Sequence, residues 1–155
     1  MLKITRKFLV TQVPDLTGKK RWTQSRFYLY RKKGVVIRVQ SKGDMFELEK
    51  RVGKSDLARE SEKIIITKRE YKAIGQLAPD NLIRDSYLIN ESPHVSLRIY
   101  HGRFEGLIRA EIAFQTLEEA NNFVPFQWMG KEITSSPLAK DETLLDLSDK
   151  NFQGL

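Results

Sequence analysis

Between Lys3 and Phe114 the chain keeps returning to one pattern: short runs in which charged and apolar residues alternate at every second position, separated by turn residues. A side-chain period of two belongs to extended strands, whose successive residues point to opposite faces; a helix cannot present it. The runs are Lys3–Val10, Arg26–Arg31, Val35–Gln40, Phe46–Arg51, Leu57–Ile66, Leu82–Ile89, Val95–Tyr100 and Leu107–Phe114. Lys33-Gly34 and Lys42-Gly43-Asp44 supply tight turns that join the second, third and fourth runs into a meander of hairpins. The chain is therefore expected to be mainly β, with about eight antiparallel strands.

Helices are signalled by their caps. Thr67-Lys68-Arg69-Glu70 and Thr116-Leu117-Glu118-Glu119 each match a capping box, predicting helices over 68–76 and 117–123. Ser136-Pro137 suits the start of a third, short helix. At 155 residues one core is the economical reading, so residues 1–147 are expected to form a single domain and the polar stretch 148–155 a frayed tail.

Several runs carry charge on one face only. Lys3 and Lys7, Arg38 and Gln40, Glu47, Glu49 and Arg51, Glu60 and Glu62, and Arg109 and Glu111 share parity, while Ile4, Phe8, Ile37, Val39, Phe46, Leu48, Ile108 and Ile112 occupy the opposite faces. Two architectures satisfy this. In a sandwich the charged faces meet solvent; in a closed barrel they line the interior, with helices covering the apolar outside. Periodicity does not choose between them.

Charge points to the class of partner. Lys and Arg number 27 against 20 Asp and Glu, a net charge of +7, which favours anionic partners such as phosphates or nucleic acid, although a mixed-charge soluble domain carries similar numbers. The absence of cysteine excludes disulfides and thiolate chemistry. His94 and His101, the only histidines, read as loop or surface residues. With no signal-peptide core and no long apolar run, a cytoplasmic protein without membrane contact is expected. The basic and aromatic residues Lys19, Lys20, Arg21, Trp22, Arg26, Tyr28 and Tyr30 could face nucleic acid, but such runs are usually solvated loops beside a core strand, and nucleic acid is not the expected partner.

Specific motifs add a resemblance. Lys7 followed by Phe8-Leu9-Val10, Arg38 before Val39-Gln40, Glu60-Ser61-Glu62, Arg84 with Tyr87, and the stretch Phe123–Thr134 with its Pro, Trp and Gly-Lys-Glu-Ile-Thr resemble, in order and spacing, the CYTH family. Its members, also called triphosphate tunnel metalloenzymes, include adenylate cyclases and thiamine and inorganic triphosphatases. The resemblance implies an eight-stranded antiparallel closed barrel with helices packed outside, and a charged tunnel that takes triphosphate, polyphosphate or a nucleotide. Carried over by motif, the phosphate-binding positions are Lys7, Arg38, Arg51 (or Lys50 if the register slips), Arg84 and Lys140. Catalytic candidates are Glu111, Glu60 and Glu62.

The departures from the family pattern concern the metal. Lys3 and Thr5 stand where the opening glutamates belong, Ser96 and Arg98 replace acidic positions of a later strand, and Ala113 leaves Glu111 alone in the closing pair. Gln40 and Ser86 also replace basic positions, for which Lys3, Arg98, Arg103 and Arg109 could compensate. A substitute metal site from Glu47, Glu49, Glu60 and Glu62 is conceivable, but their interleaving with Arg38 and Arg51 suits salt bridges better. The resulting expectation is a domain that binds a phosphate-rich anion, with metal-dependent catalysis lost or weak and no cofactor required. The alternatives are an active Mg²⁺- or Mn²⁺-dependent triphosphatase or adenylate cyclase and, third, a nucleic-acid-binding or structural domain. The sequence leaves the oligomeric state open.

Overall fold

A computed structural model describes residues 2–55 and 57–154. Eight strands, β1 (Leu2–Leu9), β2 (Arg21–Lys32), β3 (Val35–Lys42), β4 (Met45–Gly53), β5 (Ala58–Ile66), β6 (Asp80–Asn90), β7 (His94–Tyr100) and β8 (Ile108–Phe114), close antiparallel into a barrel in the order β1-β5-β4-β3-β2-β6-β7-β8. Closure selects the barrel over the sandwich, although β1 and β5 meet over only three residue pairs. Strand β2 is longer than the expected 26–31, because Arg21–Ser25, polar apart from Trp22, are fully paired to β6 from Arg21↔Tyr87 to Ser25↔Ile83.

Helices cover the outer wall. Helix α1 (Lys68–Gly75) opens on a complete Thr67–Glu70 capping box and buries Tyr71 against Phe27 and Phe46, with ring centroids 5.6 and 5.0 Å away. A Cβ at Gly75 would lie 3.2 Å from the Phe27 ring, so a larger residue there would have to push that ring aside by a few tenths of an ångström. On the opposite side, α2 (Leu117–Asn122) and the segment after it bring Phe123 beside Phe8, Phe114 and Phe126. No helix among the described residues is long and apolar enough to cross a membrane.

The two ends of the barrel differ. At one end, near the β3–β4 turn, Lys3, Met45, Lys63 and Ile65 are exposed and the interior is open. At the other, a 3₁₀ turn (Pro137–Ala139) and α3 (Asp141–Asp146) form a plug, with Leu138 and Leu144 buried against Tyr28, Val36, Leu82 and Tyr100. Residues 148–154, expected to be a frayed tail, instead form a short helix, α4 (Asp149–Gln153), capped by Ser148 and anchored by Phe152 edge-on to Phe104 at 5.2 Å.

Candidate functional site: a cationic lumen

The alternation of each strand aims its charged face inward. Lys3, Lys7, Arg26, Arg38, Arg84 and Arg109 line one cavity of about 140 Å³ together with Glu47, Glu49, Glu111 and Asp141. In all, eleven Lys or Arg and four Asp or Glu line it, an excess of seven. That equals the net charge of the whole chain, +7, so the rest of the sequence carries sixteen of each sign. The chain's excess positive charge is concentrated in the lumen.

The four acids are already engaged. Glu49 accepts from Arg38 Nη2 at 2.6 Å and from the Ser61 hydroxyl, and Glu47 accepts from Gln40 Nε2 at 2.7 Å. Glu111 accepts from Arg98 at 3.1 Å and from Arg109 at 3.0 Å. Burial alone would raise its pKa; the cations Arg98, Arg109 and Lys7 outweigh burial and hold it well below the usual carboxylate range.

Asp141 is the deepest acid. It stands at the first turn of α3 and reaches through the plugged end to accept from Arg26 at 2.6 Å, Arg109 at 3.2 Å and the Tyr100 hydroxyl at 2.5 Å, with Arg84 3.2 Å away. Burial opposes its charge, but Arg84, Arg26 and Arg109 keep it ionised.

The cations fall into two groups. Arg26, Arg38, Arg84 and Arg109 at the deep end are tied to carboxylates. Lys7 donates to the Ala139 carbonyl at 2.6 Å, and burial with the nearby Arg109, Arg59 and Arg51 drives its pKa well below that of an ordinary lysine. Nearer the open end Lys3, Lys42 and Arg59 have no carboxylate partner among the described residues. Arg59 reaches only Thr5 Oγ1 at 3.4 Å, and Lys42 lies over the Trp22 ring at 4.5 Å. Lys3 is solvent-accessible at the mouth, but the crowded wall around it partly desolvates its ammonium, and this with Arg59 and Lys63 lowers its pKa to about 8; burial and then Arg51 lower Arg59 to about 10. This half of the lumen therefore carries cations that an incoming polyanion can satisfy.

Most of the expected positions fall here. Lys7, Arg38, Arg51, Arg84 and Glu111 face the lumen, as do Lys3 and Arg98. Lys50 is exposed, so the register places Arg51 inside. Four residues lie elsewhere. Glu60 and Glu62 point outward, because β5 pairs with β4 so that Lys63 faces Glu49 and Ser61 faces Arg51; Glu60 is exposed and lies 3.6 Å from Lys54. Lys140 lines a separate chamber at the plugged end. Arg103 lies outside, pairing with Asp149 at 2.9 Å and with the Leu147 carbonyl. Sequence reasoning missed Arg59, Lys63, Lys42 and Asp141, and it set Arg26 and Tyr28 on a surface although both are buried inside the barrel.

The donors do not suit a divalent metal. Mg²⁺ and Mn²⁺ need carboxylate oxygens, whereas the adjacent positions of β1, β7 and β8 offer Lys3, Thr5, Ser96, Arg98 and Ala113 around a Glu111 held by two arginines. Among the described residues no group of three or more His, Cys, Asp or Glu is placed to hold a metal ion.

No protein-family model and no curated protein sequence matches the chain. Solved structures do. One protein, described in one crystal structure as a hypothetical protein and in another as the inorganic triphosphatase NE1496, aligns with a TM-score of 0.69 in both, at 20% and 21% identity. The alignments cover 92% of this chain and 96% and 93% of that protein. A Bacillus halodurans protein named as a candidate adenylate cyclase aligns with a TM-score of 0.57 at 15% identity, over 77% of this chain and 83% of its own. The likeness is one of fold, and it is the eight-stranded tunnel that the CYTH resemblance implies.

Proposed function

We propose that this chain binds a phosphate-rich small anion, of the triphosphate type, in its lumen through cations alone, and that metal-dependent hydrolysis has been lost. The observation that carries this reading is the coincidence of the lumen's excess of seven positive charges with the net charge of the entire chain. Structural ion pairs alone would leave the lumen near neutral. The fold shared with a protein described as an inorganic triphosphatase supports the ligand class. The replacement of acids by Lys3 and Arg98 supports the loss of the metal: a like charge at 4 Å costs a cation about 1 kcal/mol in water and about 4 kcal/mol in a partly buried site.

The test is a thermal-shift titration with inorganic triphosphate, with and without Mg²⁺ or Mn²⁺, alongside an assay for released phosphate. Triphosphate alone should raise the midpoint, since a ligand at 100 times its Kd adds about 2.7 kcal/mol, and added salt should weaken the effect. Metal-dependent phosphate release at catalytic rates would overturn the loss of hydrolysis. An unchanged midpoint at millimolar triphosphate and low salt would overturn binding.

A further inference from the structure

The plugged end holds a second cavity, of about 220 Å³, between the β2–β3 turn, the start of β5 and α3. Lys32, Lys33 and Lys140 line it with no carboxylate partner among the described residues, while the two acids of the lining, Glu142 and Asp146, pair with Arg51 and Arg31, and one oxygen of Glu142 is left without a hydrogen-bond partner. Val35, Val36 and Ala58 give it an apolar wall. Lys7, Arg51 and Arg59 line this chamber and the lumen alike, forming the partition between them.

One backbone detail singles out the rim. Lys33 has φ 50° beside Gly34 at φ 77°, so the two-residue turn has both central residues in the left-handed region. Such turns favour Asn or Gly at the first position, and a lysine there carries strain. Strain retained at a cavity rim is a mark of function. Size limits the occupant. The chamber far exceeds the ~10–15 Å³ that one water needs and falls short of the ~300 Å³ at which pockets for drug-sized ligands begin.

We infer that this chamber is a second anion site, distinct from the lumen, for a tetrahedral oxyanion of the inorganic phosphate or small phosphomonoester class, held by Lys32, Lys33 and Lys140. Because Lys7, Arg51 and Arg59 serve both cavities, an anion in one draws on positive charge that the other uses. The two sites are therefore negatively coupled, and the coupling is reciprocal.

Amide chemical-shift titrations with inorganic phosphate, phenyl phosphate and inorganic triphosphate test this on the wild type and on K33G/K140A. Gly at position 33 suits the turn, so the double variant keeps its fold. Wild-type shifts at residues 32–36 should saturate with phosphate, and K33G/K140A should weaken that binding at least tenfold while triphosphate still shifts lumen residues. Tighter binding of phenyl phosphate than of phosphate assigns an organic ester to the apolar wall; equal affinity assigns free phosphate, and either supports the site. A K3A/R98A variant separates this inference from the reading of the lumen, since it should weaken triphosphate and spare phosphate at residues 32–36. Absence of saturable shifts there at 10 mM phosphate overturns the chamber site, as does undiminished binding in K33G/K140A. So does loss of phosphate binding in K3A/R98A alone, which would place the only anion site in the lumen.

Discussion

Lys3 stands directly opposite Arg59 on the paired strands β1 and β5, two cations at facing positions of one ladder. Like charges so placed destabilise a sheet, and together with partial desolvation the pair lowers Lys3 to a pKa of about 8. An unfolded lysine titrates near ~10.4. Between these values the unfolded chain binds more protons than the folded one, so this site's contribution to stability rises with pH. Lys7, shifted in the same direction, adds to the trend. Urea midpoints at pH 7 and pH 9.5 should show that K3M gains less from the higher pH than the wild type does. An identical pH dependence in both would refute the assignment to Lys3.

Triphosphate should reverse that penalty. A bound polyanion stabilises the protonated lysine, so binding near pH 8.5 should take up protons, visible in calorimetry as an enthalpy that varies with the ionisation heat of the buffer. K3M should then be more stable than the wild type without ligand and should bind triphosphate more weakly. Both changes in the same direction would remove Lys3 from the site.

Asp141 offers the opposite case, a negative charge at the centre of several positive ones. Its replacement leaves Arg26, Arg84 and Arg109 buried without their shared counter-ion. Removing one partner of a buried pair costs roughly 3–5 kcal/mol. D141N, which preserves size, should lower the unfolding free energy, read from urea denaturation, by an amount in that range. A shift below about 1 kcal/mol would mean that the arginines relax into solvent.

The altered metal positions can be rebuilt. Thr5 faces Ala113 and Lys7 faces Glu111 across the β1–β8 pair, so T5E and A113E would place two carboxylates on adjacent strands beside Glu111, and K3E would add a third nearby. The triple variant K3E/T5E/A113E should gain Mn²⁺ binding, read by electron paramagnetic resonance, before it gains turnover, because hydrolysis also needs an aligned water. No gain in Mn²⁺ affinity would show that Arg98 and Arg109 still hold Glu111.

The legibility of this chain follows its patterning. Strands β1, β3, β4 and β8 have an apolar face to contrast with the charged one, so parity alone puts Lys7, Arg38, Glu49 and Glu111 on the charged faces, and only closure of the barrel turns those faces inward. In β5 the run Arg59-Glu60-Ser61-Glu62-Lys63 is polar on both faces, and only the pairing with β4 decides which side is inside. Arg26 lies in an aromatic strand whose inward face includes Tyr28, and residue type alone gives no reason to bury a guanidinium there. Asp141 follows the last strand, outside any alternation, and its role depends on the long-range placement of the plug.

The wall of the barrel has a seam. Strand β5 pairs with β1 only as far as Ile4↔Ala58, and beyond that point β1 is met by a late segment. Gly130 donates to the Leu9 carbonyl at 2.7 Å, Leu9 to Lys131 at 2.9 Å and Ile133 to Lys7 at 2.8 Å, with Phe8 bridged to Glu132. During synthesis, then, a chain that has not yet reached Gly130 is an open-sided trough, and the tunnel becomes a tunnel only when its last segments return to the first strand. Such long-range closure is slow. Hydrogen exchange on chains ended before Gly130 should find the amides of Leu9 and its neighbours unprotected while the β2–β4 meander is already formed.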